Sequence, residues 1–423
     1  MPVTQAELAR RLRAARENSG LTQQAVADEL QLPRTAIVQM EGGQRAVSSL
    51  ELDRLARLFG RGLSEFVNDE AFLEDPLLAL FRGTAGVAED PALAGRLRVC
   101  ANLCREATHI EQLLGHPPAQ ALAVSYSGEA GSSRWDAICQ GRAIAEQERN
   151  RLGLGISPAW EIAEIIRSQG VRVTEDHMPM DVSGLFLYSR DIGAVIVVNH
   201  DHPRARRLFS YAHEYCHVLA DRLRVGTVSR TQNRDELIEI RANAFAANFL
   251  LPEQGVRAFL QGLGKGEPSR QVHEVFDGGA PEDATRPEGV LAQRRAAPGS
   301  QAIQVHDVVG LAHHFGVSYD AAVFHLLNLR LIPKDRFDEL RSQQGLATEI
   351  KKALRIAEWD ERVHWTLADQ VLALAFEAYR RNEISKSKFF ELADAVKVPR
   401  DELRNALEAV DPRLLGVDAH TPE

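Results

Sequence analysis

The chain has 423 residues, 44% of them hydrophobic and 26% charged, with 50 Lys and Arg against 59 Asp and Glu and a formal net charge of −9. This is the composition of a globular protein of about two to four domains. It excludes wholesale electrostatic binding to nucleic acid, so any such binding must come from a local surface. It also excludes a membrane span, because no uninterrupted apolar run is long enough to cross a bilayer.

Met1 to Arg13 has no apolar signal-peptide core, and cytoplasm is the expected location. Leu21-Thr-Gln-Gln-Ala-Val-Ala-Asp-Glu-Leu is expected to form one short helix, with Thr22 as N-cap and Ala25, Val26 and Leu30 inward. Pro33 can take the first position of the next helix, with Ile37 and Met40 inward and Gly42-Gly43 ending it. Two short helices about a tight turn make a helix-turn-helix. Residues 6 to 67 resemble the lambda-repressor-like, Xre-type DNA-binding domain, carried by Leu21-Thr22-Gln23, Ala27, Ile37 and Glu41-x-Gly43. The resemblance implies that Arg34, Thr35 and Gln39 face base edges of double-stranded DNA and that Gln23, Gln44 and Arg45 lie at phosphate-contact positions. Gln31 stands where the turn often has glycine, and has to take a left-handed or altered turn at some cost. Arg10, Arg11, Arg13 and Arg16 cluster on the first helix, and a homodimer would enlarge the contact with DNA.

Residues 71 to 130 read as a helical connector, with a helix near Leu93 to Leu114 and a loop-like Ser125 to Ser133 stretch after it. Cys100, Cys104, Cys139 and Cys216 have no C-x-x-C spacing and are expected to be reduced thiols. Helices are expected over Trp135 to Leu152 and Pro158 to Gln169. The period then changes to strands at Val171-Arg-Val-Thr, Val182 to Tyr188 and Ala194 to Asn199, with Asp191-Ile-Gly as a hairpin turn. A helix follows, with Asp201 or His202 as its cap, and carries His213-Glu214-Tyr-Cys-His217. Residues four apart share a helix face, so His213 and His217 can present two imidazoles to one metal ion with Glu214 beside it.

A catalytic zinc takes three protein ligands and keeps one position open. Downstream, Asp235 to Leu251 patterns as a helix on which Glu236, Glu239 and Asn243 share a stripe, and any of them could face the histidines. The segment from about Val171 to Leu251 resembles the ImmA/IrrE family of gluzincin-like metallopeptidases. The residues that carry this are Ser183-Gly184, Val197-Val198-Asn199, Arg207 to Glu214, Glu239-x-x-Ala242-Asn243, Phe245-Ala246-Ala247 and Leu250-Leu251-Pro252. The resemblance implies Zn2+, with Mn2+ as a substitute, held by His213, His217 and Glu239, and Glu214 as the general base of peptide hydrolysis. Tyr211, His177 and Asn243 are candidates for substrate or oxyanion contacts, Asn243 reading better as a support for the ligand shell, and Ser183 and Gly184 are candidates beside them. Family members are implied to cleave repressor proteins in stress responses and mobile-element induction.

Residues 261 to 303 are rich in Gly, Pro, Arg and acids and read as a flexible insertion. Two amphipathic helices are expected over Val305 to Ile332, and their resemblance to the helical tail of the ImmA/IrrE family implies that Val317-Ser318 caps the second. The rest reads as helical, with a helix-turn-helix-like unit capped at Ser385. The expected class is therefore α+β and mostly helical. Its parts are a DNA-binding domain over 1–70, the connector over 71–130, a metallopeptidase domain with a small sheet over 131–334, and a helical C-terminal domain over 335–423. The function expected is DNA-binding transcription regulation joined to zinc-dependent cleavage of a repressor. The alternatives are a non-catalytic regulator that uses the domain as a sensor, or a component of a toxin-antitoxin or phage-defence system.

Overall fold

The alternating and helical hydrophobic patterns resolve into three packed cores in the computed structural model. It describes residues 3–18, 21–59, 66–67, 91–116, 125–126, 131–189, 192–221, 226–230, 235–265, 271–276, 289–294, 300–356 and 366–409. Helices α1 (Gln5–Asn18), α2 (Gln23–Leu30), α3 (Arg34–Glu41) and α4 (Ser49–Phe59) enclose the first core, which includes Leu12, Val26, Ile37, Met40 and Leu55. Thr22 caps α2 by accepting from the Ala25 amide. Gln31 does take the left-handed conformation, at φ 56°, and its amide donates to the carbonyls of Ala27 and Asp28, which satisfies the end of α2. Pro33 is the N-cap of α3 and not its first helical residue.

Next come α5 (Pro91–Leu113), α6 (Arg134–Arg151) and α7 (Ile162–Ser168), then strands β1 (Arg172–Asp176), β2 (Val182–Ser189) and β3 (Gly193–Asn199). Helix α8 (Arg204–Ala220) carries the H-E-x-x-H residues, and β4 (Gly226–Arg230), which the sequence pattern did not reveal, follows it. The sheet order is β1-β3-β2-β4, with β1 parallel to β3 and the other pairs antiparallel. Gly193 turns the β2–β3 hairpin at φ 68°, while Asp191 lies outside the described residues. The N-cap of α8 is Pro203, with no side-chain cap bond, so Asp201 and His202 do not cap it. His202 is instead buried, with Nε2 against the Met180 carbonyl.

Register on β2 shifts between Val182 and Gly184, a bulge at Ser183. The extra residue lets Val182 share a face with Leu185 and Leu187, despite the odd spacing. It also turns Gly184 toward α8. That face of the sheet, with Phe186, Ile196 and Val198, packs in the largest core under α8 and α9 (Leu237–Leu250). Buried Asn199 donates from Nδ2 to the carbonyls of Met178, Pro179 and Val182, which fixes the approach to β2.

After α10 (Glu253–Gly262), the segment expected as a structureless insertion holds two antiparallel strands, β5 (Gln271–Phe276) and β6 (Gly289–Arg294). Six pairings from Gln271–Arg294 to Phe276–Gly289 supply the backbone hydrogen bonds that its polar, Gly-rich composition concealed. Helices α11 (Val305–Phe315), α12 (Tyr319–Asn328), α13 (Lys334–Ser342) and α14 (Gln344–Ala353) join the largest core through Phe315, Leu326, Phe337, Leu340 and Ala347. Ser318 caps α12. Helices α15 (Leu367–Arg380), α16 (Lys386–Ala395, capped by Ser385) and α17 (Arg400–Ala409) cover the opposite face of the sheet together with α5. Lys388 of α16 pairs with Glu106 of α5 at 3.0 Å. The connector helix and the C-terminal helices thus share one core with Leu185, Leu187, Val195 and Val197 of the sheet. Cys100, Cys104 and Cys216 are buried and Cys139 exposed, all as free thiols.

Candidate metal centre and DNA-reading surface

Helices α8 and α9 pack side by side, and the acid of one meets the imidazoles of the other. His213 Nε2 lies 3.0 Å from Glu239 Oε2, His217 Nε2 lies 3.4 Å from Glu239 Oε1, and the two Nε2 atoms are 3.3 Å apart. The three ligand atoms all fall within 4.8 Å of one another, the one such grouping among the described residues.

The outward ring nitrogens explain why these atoms converge. His217 Nδ1 donates to Asp221 Oδ2 at 2.8 Å, and Asp221 in turn accepts from Arg241 Nη2 at 2.6 Å. His213 Nδ1 donates to Asn243 Oδ1 at 3.1 Å. A proton on each Nδ1 leaves each Nε2 with a lone pair aimed inward. Two lone pairs and a carboxylate brought this close repel one another unless a cation sits among them, so the donor set fits a divalent metal. The surrounding groups favour positive charge in the same way. Burial opposes a charged His217, but its bonds to Asp221 and Glu239 override that and raise its pKa to about 10. Burial likewise opposes a charged Glu239, and the two histidines hold it down at about 2.

Glu214 is fully buried beside this cluster, and neither carboxylate oxygen has a hydrogen-bond partner among the described residues. Burial raises its pKa, and the neighbouring histidines and the nearby Ser229 hydroxyl only partly offset the effect. Gly184 makes room for it. A Cβ at that position would lie 3.0 Å from the Val197 carbonyl oxygen and 3.1 Å from Glu214 Oε1.

Of the remaining expected residues, only Asn243 and Gly184 touch this cluster. The Tyr211 hydroxyl donates to Glu175 Oε1 at 2.8 Å, because two residues along a helix from His213 is more than half a turn away. His177 is exposed and pairs with Asp201 at 2.7 Å. Ser183 forms the bulge and is not one of the residues whose ligand atoms converge. Asn243 supports His213, and Glu236 is the exposed N-cap of α9. Asp221 and Arg241 were not anticipated. The signal for Asp221 was its place four residues after His217, on the same helical stripe.

Residues 166–276 match the family model of the IrrE N-terminal-like domain of peptidase M78, and residues 7–66 match that of a helix-turn-helix domain. The chain joins a DNA-binding helix-turn-helix domain to an IrrE-like, metallopeptidase-like domain. No curated protein matches it. No helix among the described residues is long and apolar enough to cross a membrane.

On the helix-turn-helix domain, Arg34, Thr35 and Gln39 of α3 are exposed, as is Gln44. Gln23 instead donates to Glu41 Oε2 at 2.9 Å, and Arg45 pairs with Glu51 at 2.7 Å. The basic cluster on α1 is occupied in the same way. Arg10 and Arg11 pair with Glu7, Arg13 with Glu17, and Arg16 with Glu41. Arg34, Thr35 and Gln39 take part in no such pair among the described residues, while Glu41 at the end of α3 holds both Arg16 and Gln23.

Proposed function

We propose that this chain is a DNA-binding transcription regulator whose IrrE-like domain is a zinc endopeptidase acting on a repressor protein. The observation that carries this reading is Glu214, a buried, unpartnered carboxylate set against two histidines and a glutamate whose donor atoms converge. A structural acid in that position would be expected to have hydrogen-bond partners. His213, His217 and Glu239 would hold the zinc, with Asp221 and Asn243 fixing the two imidazoles. When bound there, zinc supplies Lewis acidity.

Glu214 accounts for the proton movements. Burial keeps its pKa above the ordinary carboxylate value, which suits a base that must also give the proton back. It takes a proton from the attacking water and delivers it to the leaving amine. Among the described residues, strand β4 lies at the end of the sheet order and is hydrogen-bonded on one side only, to β2, so its other edge suits an extended peptide. The helix-turn-helix domain would place the peptidase on DNA, near a repressor bound there, and a homodimer would strengthen that contact.

The test incubates the purified protein with candidate repressors in zinc or manganese, beside a Glu214→Gln variant. Metal-dependent cleavage by the native protein and none by the variant is expected, with both retaining near-stoichiometric metal. Full metal loading with no partner cleaved would replace proteolysis by a sensing role.

A further inference from the structure

A cavity of about 230 Å³ opens between α8, α9 and α12. Its walls include Phe209, Ala247, Leu250, Phe324, His325 and Asn328. All but two of these are apolar. Phe324, 43% exposed, and the exposed Asn328 stand on α12 with accessible surface, so they place the mouth there, while Leu250 is fully buried.

His325 is the anomaly in this wall. It is 3% exposed, yet neither Nδ1 nor Nε2 completes a hydrogen bond of good geometry among the described residues, the Leu251 backbone facing the ring without closing one. Leaving both nitrogens of a buried imidazole unpaired is costly, and apolar residues fill such sites at no such cost. Burial drives its pKa down to about 4, although the backbone of Leu251 works against the shift. The ring is therefore neutral at ordinary pH, with one donor and one acceptor available. Arg142 and Arg257 both pair with Glu253 near it, and none of these three charged residues is among those that line the cavity.

We infer that this cavity binds a small, neutral, mostly apolar molecule that carries one hydrogen-bonding group, with His325 as the polar anchor. Apolar walls with a single convergent polar group are the usual composition of a small-molecule site. The volume fits one substituted aromatic ring or its aliphatic equivalent, since an apolar cavity of about 150 Å³ accommodates benzene. A charged ligand would lose its hydration against these walls without an ionic partner. The inference is independent of whether the metal centre cleaves peptides.

The test uses p-cresol and toluene, which share a carbon frame and differ by one hydroxyl. Calorimetric titration of the full chain is expected to show saturable one-to-one binding of p-cresol, about tenfold tighter than toluene, the equivalent of one hydrogen bond. Ala321→Leu, which fills the cavity, should abolish binding of both. His325→Phe should keep toluene binding, lose the preference for p-cresol, and melt at a higher temperature than the native protein. If Ala321→Leu does not fold by circular dichroism, Ala247→Leu on the opposite wall takes its place. Absence of saturable binding of either compound, or binding unaffected by the cavity-filling variant, would overturn the inference. A peptide side chain as the true occupant would show as competition between p-cresol and a cleaved substrate, and retention of both together would rule that source out.

Discussion

Asp221 touches no reacting atom, yet the direction of His217 depends on it. Its Oδ2 accepts the Nδ1 proton at 2.8 Å, and Arg241, itself 2% exposed, holds the other oxygen. Asp221→Asn replaces an ionised acceptor with an amide that can present its NH2 to the same nitrogen, which would favour the wrong tautomer. Zinc affinity is expected to fall about 10- to 100-fold in a competition titration, with little change in the circular dichroism spectrum. Gly184→Ala separates the other half of the site. Its Cβ would press on Glu214 Oε1 and on the Val197 carbonyl, so the carboxylate must shift. Zinc binding should persist while cleavage drops by roughly 100-fold, the scale of a misplaced reacting group. Of these residues, His213, Glu214 and His217 were legible because four-residue spacing on a helix fixes their common face. Glu239 needed the family resemblance, since spacing alone left Glu236 and Asn243 open. The same periodicity that found the histidines turns Tyr211 away from them and puts its hydroxyl at Glu175.

At the scale of elements, Glu239, the proposed third ligand, is positioned by the crossing of α6 and α9. Gly141 sits at the point of contact. A Cβ there would lie 2.2 Å from the Arg241 carbonyl oxygen and 2.9 Å from both Ala244 Cβ and the Phe245 nitrogen. Two of those three atoms are backbone and cannot rotate away, so Gly141→Ala must push α9 outward. Destabilisation of about 3 kcal/mol is expected by urea denaturation, and zinc affinity should fall with it because Glu239 moves with its helix. Nothing local marks Gly141 for this role. An isolated glycine in a helical pattern reads only as a weak point, and its purpose depends on a partner helix about a hundred residues away in sequence. The same limit hid β4, whose Gly-Thr-Val-Ser-Arg run is too short to show alternation. It hid β5 and β6 as well, where long-range pairing outweighs a composition rich in turn formers.

For the whole molecule, the distribution of cores determines which perturbations can be separated. The sheet is shared, with α8 and α9 on one face and α5, α15 and α16 on the other. Damage to the C-terminal helices is therefore felt by the strands that support Glu214, and those helices were legible as helices but not as cover for the sheet. The helix-turn-helix domain differs, because its core of Leu12, Val26, Ile37 and Met40 contains no residue of the sheet or of α8 and α9. Arg34 and Gln39 stand on its outer face and contribute nothing to that core. Arg34→Ala with Gln39→Ala is thus expected to remove specific operator binding, at about 1–3 kcal/mol for each base that is no longer read, while leaving the melting temperature and zinc content unchanged. Electrophoretic mobility shift over a range of salt concentrations separates this from weakened phosphate binding. Lost base reading should leave the salt slope nearly intact and remove the preference for operator over random DNA. Unchanged preference would place the reading surface elsewhere on the domain. A change in zinc content would show that the two units are coupled in a way their separate cores do not predict.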